Sequence, residues 1–139
     1  MKREVKIDWV ESLEFKAEMD GHTITLDGPP EAGGRNKGVR PKPLMLLALA
    51  GCTGMDVVSI LKKMRVEIDG LSIHVEGDME EEAPNAFTAM QVVYTFRGKD
   101  LPLDKLEKAV ELSKEKYCGV SAVLQKALPI TYQIRVETP

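Results

Sequence analysis

PKPLMLLALAGCTGMDVVSILKKM, residues 41–64, is the stretch whose reading decides the fold. Between Leu44 and Ile60 its only charged residue is Asp56. A segment that is apolar on nearly every face is a central helix or a membrane span, not an ordinary surface helix. The uninterrupted apolar run falls short of the ~20 residues a span needs, and Gly51, Cys52, Thr53, Gly54 and Asp56 break it up. It therefore reads as a helix of the core or of a subunit interface. Pro41 or Pro43 suits its first turn, and Lys62, Lys63 and Arg65 suit the negative end of its dipole, which places its end at Lys63 or Met64. Steps of three and four put Cys52, Met55, Asp56, Ser59 and Lys63 on one stripe. Two interior glycines cost about 1 kcal/mol each relative to alanine, so Gly51 and Gly54 call for the close approach of another segment. A buried Asp56 needs a hydrogen-bond donor.

Before the helix, Val5, Ile7 and Trp9 alternate with charged residues, and Leu13, Phe15 and Ala17 repeat the alternation. This is the period of half-buried strands. Asp20-Gly21 stands between the second run and Thr23-Ile24-Thr25-Leu26, a strong hairpin signal because tight primed turns demand positive φ. The expectation is a three-stranded antiparallel meander over residues 3–27. Residues 27–43, DGPPEAGGRNKGVRPKP, have no periodicity and form a long loop, of the kind that is disproportionately functional. Its Arg35 and Arg40 are candidates to meet an anion or a thiolate, with two solvated charges as the alternative.

After the helix, Leu71, Ile73 and Val75 mark a strand over 69–79, and Met90, Val92, Tyr94 and Phe96 another over 87–96. Leu103, Leu106, Val110, Ser113 and Tyr117 recur at helical spacing. Gly119 implies that this helix ends near Tyr117 and that a shorter one starts at Cys118, with Val120, Val123, Leu124 and Ala127 toward the core. Ile130, Tyr132, Ile134 and Val136 give a final strand. The order predicts an α+β domain: an N-terminal antiparallel meander, a long central helix, a β-hairpin, a second helix pair and a final strand.

At 139 residues the chain is expected to form a single domain, 1–139. Lys and Arg total 19 against 22 Asp and Glu, a net charge of -3 with the signs interspersed, which leaves no footprint for nucleic acid. MKREVKIDWV lacks the apolar core of a signal peptide, and a cytoplasmic protein without membrane attachment is expected. Two cysteines so far apart are no secreted disulfide framework. They are either inert packing residues or redox groups. A cysteine at the start of a helix is favoured as thiolate by the free N–H groups there, which applies to Cys118, whereas Cys52, well inside its helix, needs a cation, and Arg40 is the nearest in sequence. Cys52, Cys118, His22 and His74 show no C-x-x-C or H-x-x-x-H spacing, so no metal is expected. Both histidines read as solvated. Walker and Rossmann phosphate fingerprints are absent, and no cofactor is expected.

GCTGMDVVSILKKM (51–64), EEAPNAFT (81–88) and LSKEKYCGVSAVLQKA (112–127), in that order and spacing, resemble the OsmC/Ohr family of thiol-dependent peroxidases, specifically its OsmC-like branch. The resemblance covers residues 30–136. It implies an intertwined homodimer in which sheets of both chains wrap two central helices, with active sites at the interface. It also implies that Cys52 attacks a small organic hydroperoxide as the peroxidatic cysteine and that Cys118 resolves the sulfenic acid as a disulfide, which a dithiol reductant resets. Arg40 matches an arginine of related sequences by position and would activate Cys52. Leu49, Met55 and Asp56 would line the substrate side, where apolar walls suit a fatty or aromatic hydroperoxide. The chain departs from the family at one point: where typical members carry a glutamate nine or ten residues before the first cysteine, it has Lys42 and Pro43. A non-catalytic member that binds a small apolar ligand at the dimer interface is the alternative.

Overall fold

Asp20 and Gly21, at φ 49° and 81°, make the two-residue primed turn that their sequence demands. Met19 and His22 pair directly across it. In the computed structural model, which describes all 139 residues, β1 (Ile7–Glu11), β2 (Glu14–Met19) and β3 (His22–Leu26) form the expected antiparallel meander in the order β1-β2-β3. This sheet belongs to the first of two compact units, residues 1–45 and 46–139.

The long loop of the first unit is ordered around one carboxylate. Asp27 accepts backbone N–H bonds from Gly28 (2.7 Å), Lys37 (3.1 Å) and Arg35 (3.2 Å). Those bonds, the Lys37 amide first, hold its pKa below the usual carboxylate value against the opposing effect of burial. Glycine is required at position 38, where a Cβ would collide with the Thr25 carbonyl. Arg35 is committed to Glu11 (3.0 Å) and to the buried Glu14 (3.2 Å), so it is a tether of the loop.

The second unit is built on α1 (Pro43–Lys63) and a three-stranded sheet in the order β4-β5-β6. β4 (Gly70–Met79) and β5 (Phe87–Arg97) form the expected hairpin, its turn containing a cis Ala83–Pro84 bond. β6 (Ile130–Glu137) lies parallel to β5, so residues between them form a crossover containing α2 (Leu103–Leu112) and α3 (Gly119–Leu124). Leu49, Val57 and Leu61 of α1 meet Val92, Tyr94 and Phe96 of the central strand and Leu106 of α2 in one core, all essentially fully buried.

Two expectations are corrected. Val123 is 67% exposed and Ala127 is also on the surface; Ser121 and Leu128 face inward instead, because α3 is one short helix from Gly119 to Leu124 and its phase does not carry through to Ala127. In α2 and the turn after it, Leu106, Val110 and Ser113 are buried as the spacing predicts, but Leu103 and Tyr117, at the ends of the pattern, are exposed.

α1 is not buried all round. Leu49, Thr53, Val57 and Leu61 form an i, i+4 stripe facing the core. Leu47, Met55 and Val58 stand exposed on the other side at 64%, 77% and 49%. With 21 residues and a mean hydropathy of 2.0 the helix matches a bilayer span by length and composition, and 22% of that apolar window is buried within the chain. Polar bonds from its buried stripe to β5 and to the end of α2 tie it into the protein's own core.

Candidate thiol site

Cys52 and Asp56, four residues apart on α1, share the edge between the buried stripe and the exposed one, and both are half-buried. Cys118 reaches the same place from the crossover. After Leu112 the chain widens into a π turn, Ser113–Tyr117, closed by the Cys118 N–H donating to the Ser113 carbonyl at 2.8 Å. Such insertions re-aim side chains within a helix and are common at functional sites. Here the widening turns Ser113 into the core and halts the helix, leaving Cys118 extended (φ -80°, ψ 101°) as the N-cap of α3. The ligand atoms of Cys52, Asp56 and Cys118 lie within 4.8 Å of one another, and both cysteines are free thiols.

The hydrogens behind this cluster can be ordered. Ser113 Oγ donates its single proton to Asp56 Oδ2 at 3.0 Å. Its 2.8 Å bond to Thr53 Oγ1 is then donated by Thr53, and the 2.7 Å bond between Thr53 and Tyr94 is donated by Tyr94. A chain Tyr94→Thr53→Ser113→Asp56 therefore runs in one direction and ends on the carboxylate. Asp56 thus has the donor its position calls for. Burial raises the Tyr94 pKa, which keeps the first proton of this chain in place. A second pair, Ser121 Oγ and Tyr132 OH at 2.8 Å, fixes α3 to β6 behind Cys118.

The position of Cys118 at a helix start predicts a favoured thiolate, and the structure reverses that expectation. The Ser121 N–H does donate to Cys118 Sγ at 3.3 Å. Burial nevertheless dominates and pushes the Cys118 thiol up to about 11, with the adjacent Cys52 adding to the rise. One weak N–H···S bond does not offset the loss of water around a sulfur anion.

Of the residues singled out in the sequence, Cys52, Cys118 and Asp56 are brought together. Leu49 is fully buried in the core, and Met55 is exposed on the opposite side of α1. Arg40 lies in the first unit, where Nη1 donates to Asn36 Oδ1 (2.8 Å) and to the Gly38 carbonyl (3.2 Å). It borders a mainly apolar hollow of about 420 Å³ with Ile7, Leu13, Phe15, Leu26 and Pro41. His22 and His74 are exposed, as expected. The site also draws in Thr53, Tyr94, Ser113, Ser121 and Tyr132, which carry no functional motif in the sequence. For the first three a signal existed: each is a polar group in phase with apolar neighbours of the core.

A family model described as OsmC-like protein matches residues 34–133. Protein YhfA of Escherichia coli (strain K12) is 37% identical over 134 residues, covering 96% of this chain and 97% of that protein. A hypothetical protein from Aquifex aeolicus VF5 superposes with a TM-score of 0.87 at 29% identity, over 100% of this chain and 98% of that one. The OsmC-like protein from Mycoplasma pneumoniae shares the fold, with a TM-score of 0.82 at 18% identity over 98% and 97% of the two chains. The match of the family model across most of the chain, with a curated relative aligned along nearly its whole length, establishes that this protein belongs to the OsmC-like family.

Proposed function

We propose that the protein reduces organic hydroperoxides to alcohols through the Cys52/Cys118 pair, in defence against oxidative stress. The observation that carries this reading is the meeting of two free thiols at the edge of α1. Cys52, the less buried of the two, attacks as thiolate the distal oxygen of ROOH; the O–O bond breaks and the alkoxide takes a proton to leave as ROH, with Cys52 as sulfenic acid. Cys118 sulfur then displaces the hydroxyl, which leaves as water, and a disulfide forms. The two electrons come from the thiols and are restored by an external dithiol through exchange. The high pKa of Cys118 suits it to the second step, in which its proton is lost only when a partner is already formed. Arg40 is assigned to activation of Cys52, and Asp56, which stands beside both thiols, to the substrate side. A cytoplasmic setting, where thiols are kept reduced, fits such a cycle.

A homodimer is part of this reading. Leu47, Gly51, Met55 and Val58 recur at steps of four, four and three along the side of α1 away from its core, and beside Gly51 a Cβ would meet nothing. An apolar stripe with a glycine at its centre fits close packing against the same helix of a second copy, and Cys52 and Asp56 would then border the interface. Sedimentation should give twice the 15.4 kDa chain mass, and Leu47→Lys should shift it to the monomer.

The deciding experiment treats reduced protein, in the presence of a chelator, with one equivalent of cumene hydroperoxide. Loss of both thiols and a Cys52–Cys118 cross-link in the peptide map are expected, with Cys52→Ser consuming peroxide only at the background rate. An unchanged rate in Cys52→Ser would sink the mechanism.

A second reading rests on the mainly apolar hollow of the first unit, bordered by Arg40. There the protein binds a small apolar ligand without redox chemistry. It predicts thiols that stay reduced under peroxide and a melting temperature raised by apolar ligands.

A further inference from the structure

We infer that Cys52, Asp56 and Cys118 form a binding site for a thiophilic divalent cation such as Zn²⁺. The site goes beyond the peroxidase reading and does not depend on it. The spacing of the cysteines and histidines gives no reason to expect a zinc site built from them, since no C-x-x-C or H-x-x-x-H pair is present. The fold supplies a different third ligand, the Asp56 carboxylate, one helical turn from Cys52. Around tetrahedral zinc, with Zn–S near 2.3 Å and Zn–O near 2.1 Å, ligand atoms stand about 3.4–3.8 Å apart. The three ligand atoms are all within 4.8 Å of one another, close to that spacing. Two soft sulfurs with one carboxylate make a donor set suited to zinc or cadmium and poorly suited to magnesium or calcium.

The surroundings are those of a supported ligand set. Ser113 Oγ holds Asp56 Oδ2, and that bond is backed by Thr53 and Tyr94. The Ser121 N–H holds Cys118 Sγ. Such outer partners orient ligands and raise affinity. Three protein ligands leave the fourth position of a tetrahedron to water or to another small ligand.

Both sulfurs bind as thiolates, and no electrons move. Binding occupies both sulfurs, so metal and disulfide exclude each other. An organic hydroperoxide acting on the metal-bound pair would take two electrons from the sulfurs and two protons from solvent, giving disulfide, alcohol, water and free cation. The cluster would then hold metal while reduced and release it on oxidation.

The test uses reduced, metal-free protein without peroxide. Zn²⁺ is titrated against a chromophoric chelator, and Cd²⁺ binding is followed by its thiolate-to-metal charge-transfer band. One equivalent per chain and a band from two thiolates are expected. Cys52→Ser and Cys118→Ser should each lose tight binding, and Asp56→Asn should weaken it at least about tenfold, the lower end of what even outer partners supply. Absence of the Cd²⁺ band in the parent overturns the site, whatever the variants do. So does full zinc stoichiometry in the Cys52→Ser/Cys118→Ser double variant, or parental affinity in Asp56→Asn. Because the peroxide experiment is run with chelator and this one without peroxide, either reading can fail alone.

Discussion

The two units of this chain hold themselves together in different ways. Among residues 1–45 the one buried hydrophobic side chain is Ala17, and every residue of β1 is exposed, Trp9 and Ile7 included. Order there comes from a primed turn, from a carboxylate that gathers three backbone N–H groups, and from Arg35 bound to two glutamates. The second unit has a contiguous apolar core, and its polar groups are drawn into it as a directed hydroxyl chain. The difference teaches that the redox-capable cluster is mounted on the unit with a contiguous core of its own, whereas the first unit is held by its turn and its polar bonds.

The largest effect that tests this contrast is a core truncation. Leu61→Ala should destabilise the second unit by about 2–5 kcal/mol in denaturant titration, the range for emptying a fully buried leucine site. A smaller loss would show that the core is more plastic than its complete burial indicates. Next, Ser113→Ala removes the acceptor of Thr53 and the donor of Asp56, and should cost about 1–3 kcal/mol. Tyr94→Phe, which removes only the first donor, should cost about 1 kcal/mol. If the two variants cost the same, the hydroxyls do not act as a directed chain.

The pH responses should separate the units further. The Cys118 pKa is raised in the folded state, so its contribution to stability is fully present below the ordinary thiol value, 9.0, and is lost as pH rises toward about 11. The denaturation midpoint should fall over that window more steeply in the parent than in Cys118→Ala, where Tyr94 and Tyr132, both raised by burial, still lower stability above 10. The Asp27 pKa is lowered, so its contribution is present above 3.8 and is lost as pH falls through the depressed value. Amide exchange of Gly28, Arg35 and Lys37 should accelerate there, and Asp27→Asn should show the acceleration already at neutral pH.

Much of this structure was legible in residue pattern. Asp20-Gly21 fixed the hairpin because few residues accept positive φ. The apolar run after Pro43 predicted the central helix, and Gly119 marked the break before α3. Cys52 and Cys118 were singled out as chemistry-bearing types, and their pairing was implied by resemblance to a family. The parallel placement of β6 was not legible, since alternation gives a strand's faces but not its direction beside a neighbour. Nor was the π turn Ser113–Tyr117, because it adds a residue to a helical turn without changing the local composition.

The sequence by itself determined the elements and their order, because periodicity and turn chemistry are local; α1 is apolar on nearly every face, so its pattern did not say that Leu49, Thr53, Val57 and Leu61 are the residues that leave water. Tertiary structure alone decided which groups meet. It brought Asp56 to the two thiols, strung three hydroxyls into a chain whose last member, Ser113, donates to that carboxylate, and turned Cys118 from an expected easy thiolate into a reluctant one. The physical reason is that desolvation depends on what surrounds an atom from every side, and contacts between residues distant in the chain are settled only when the core closes.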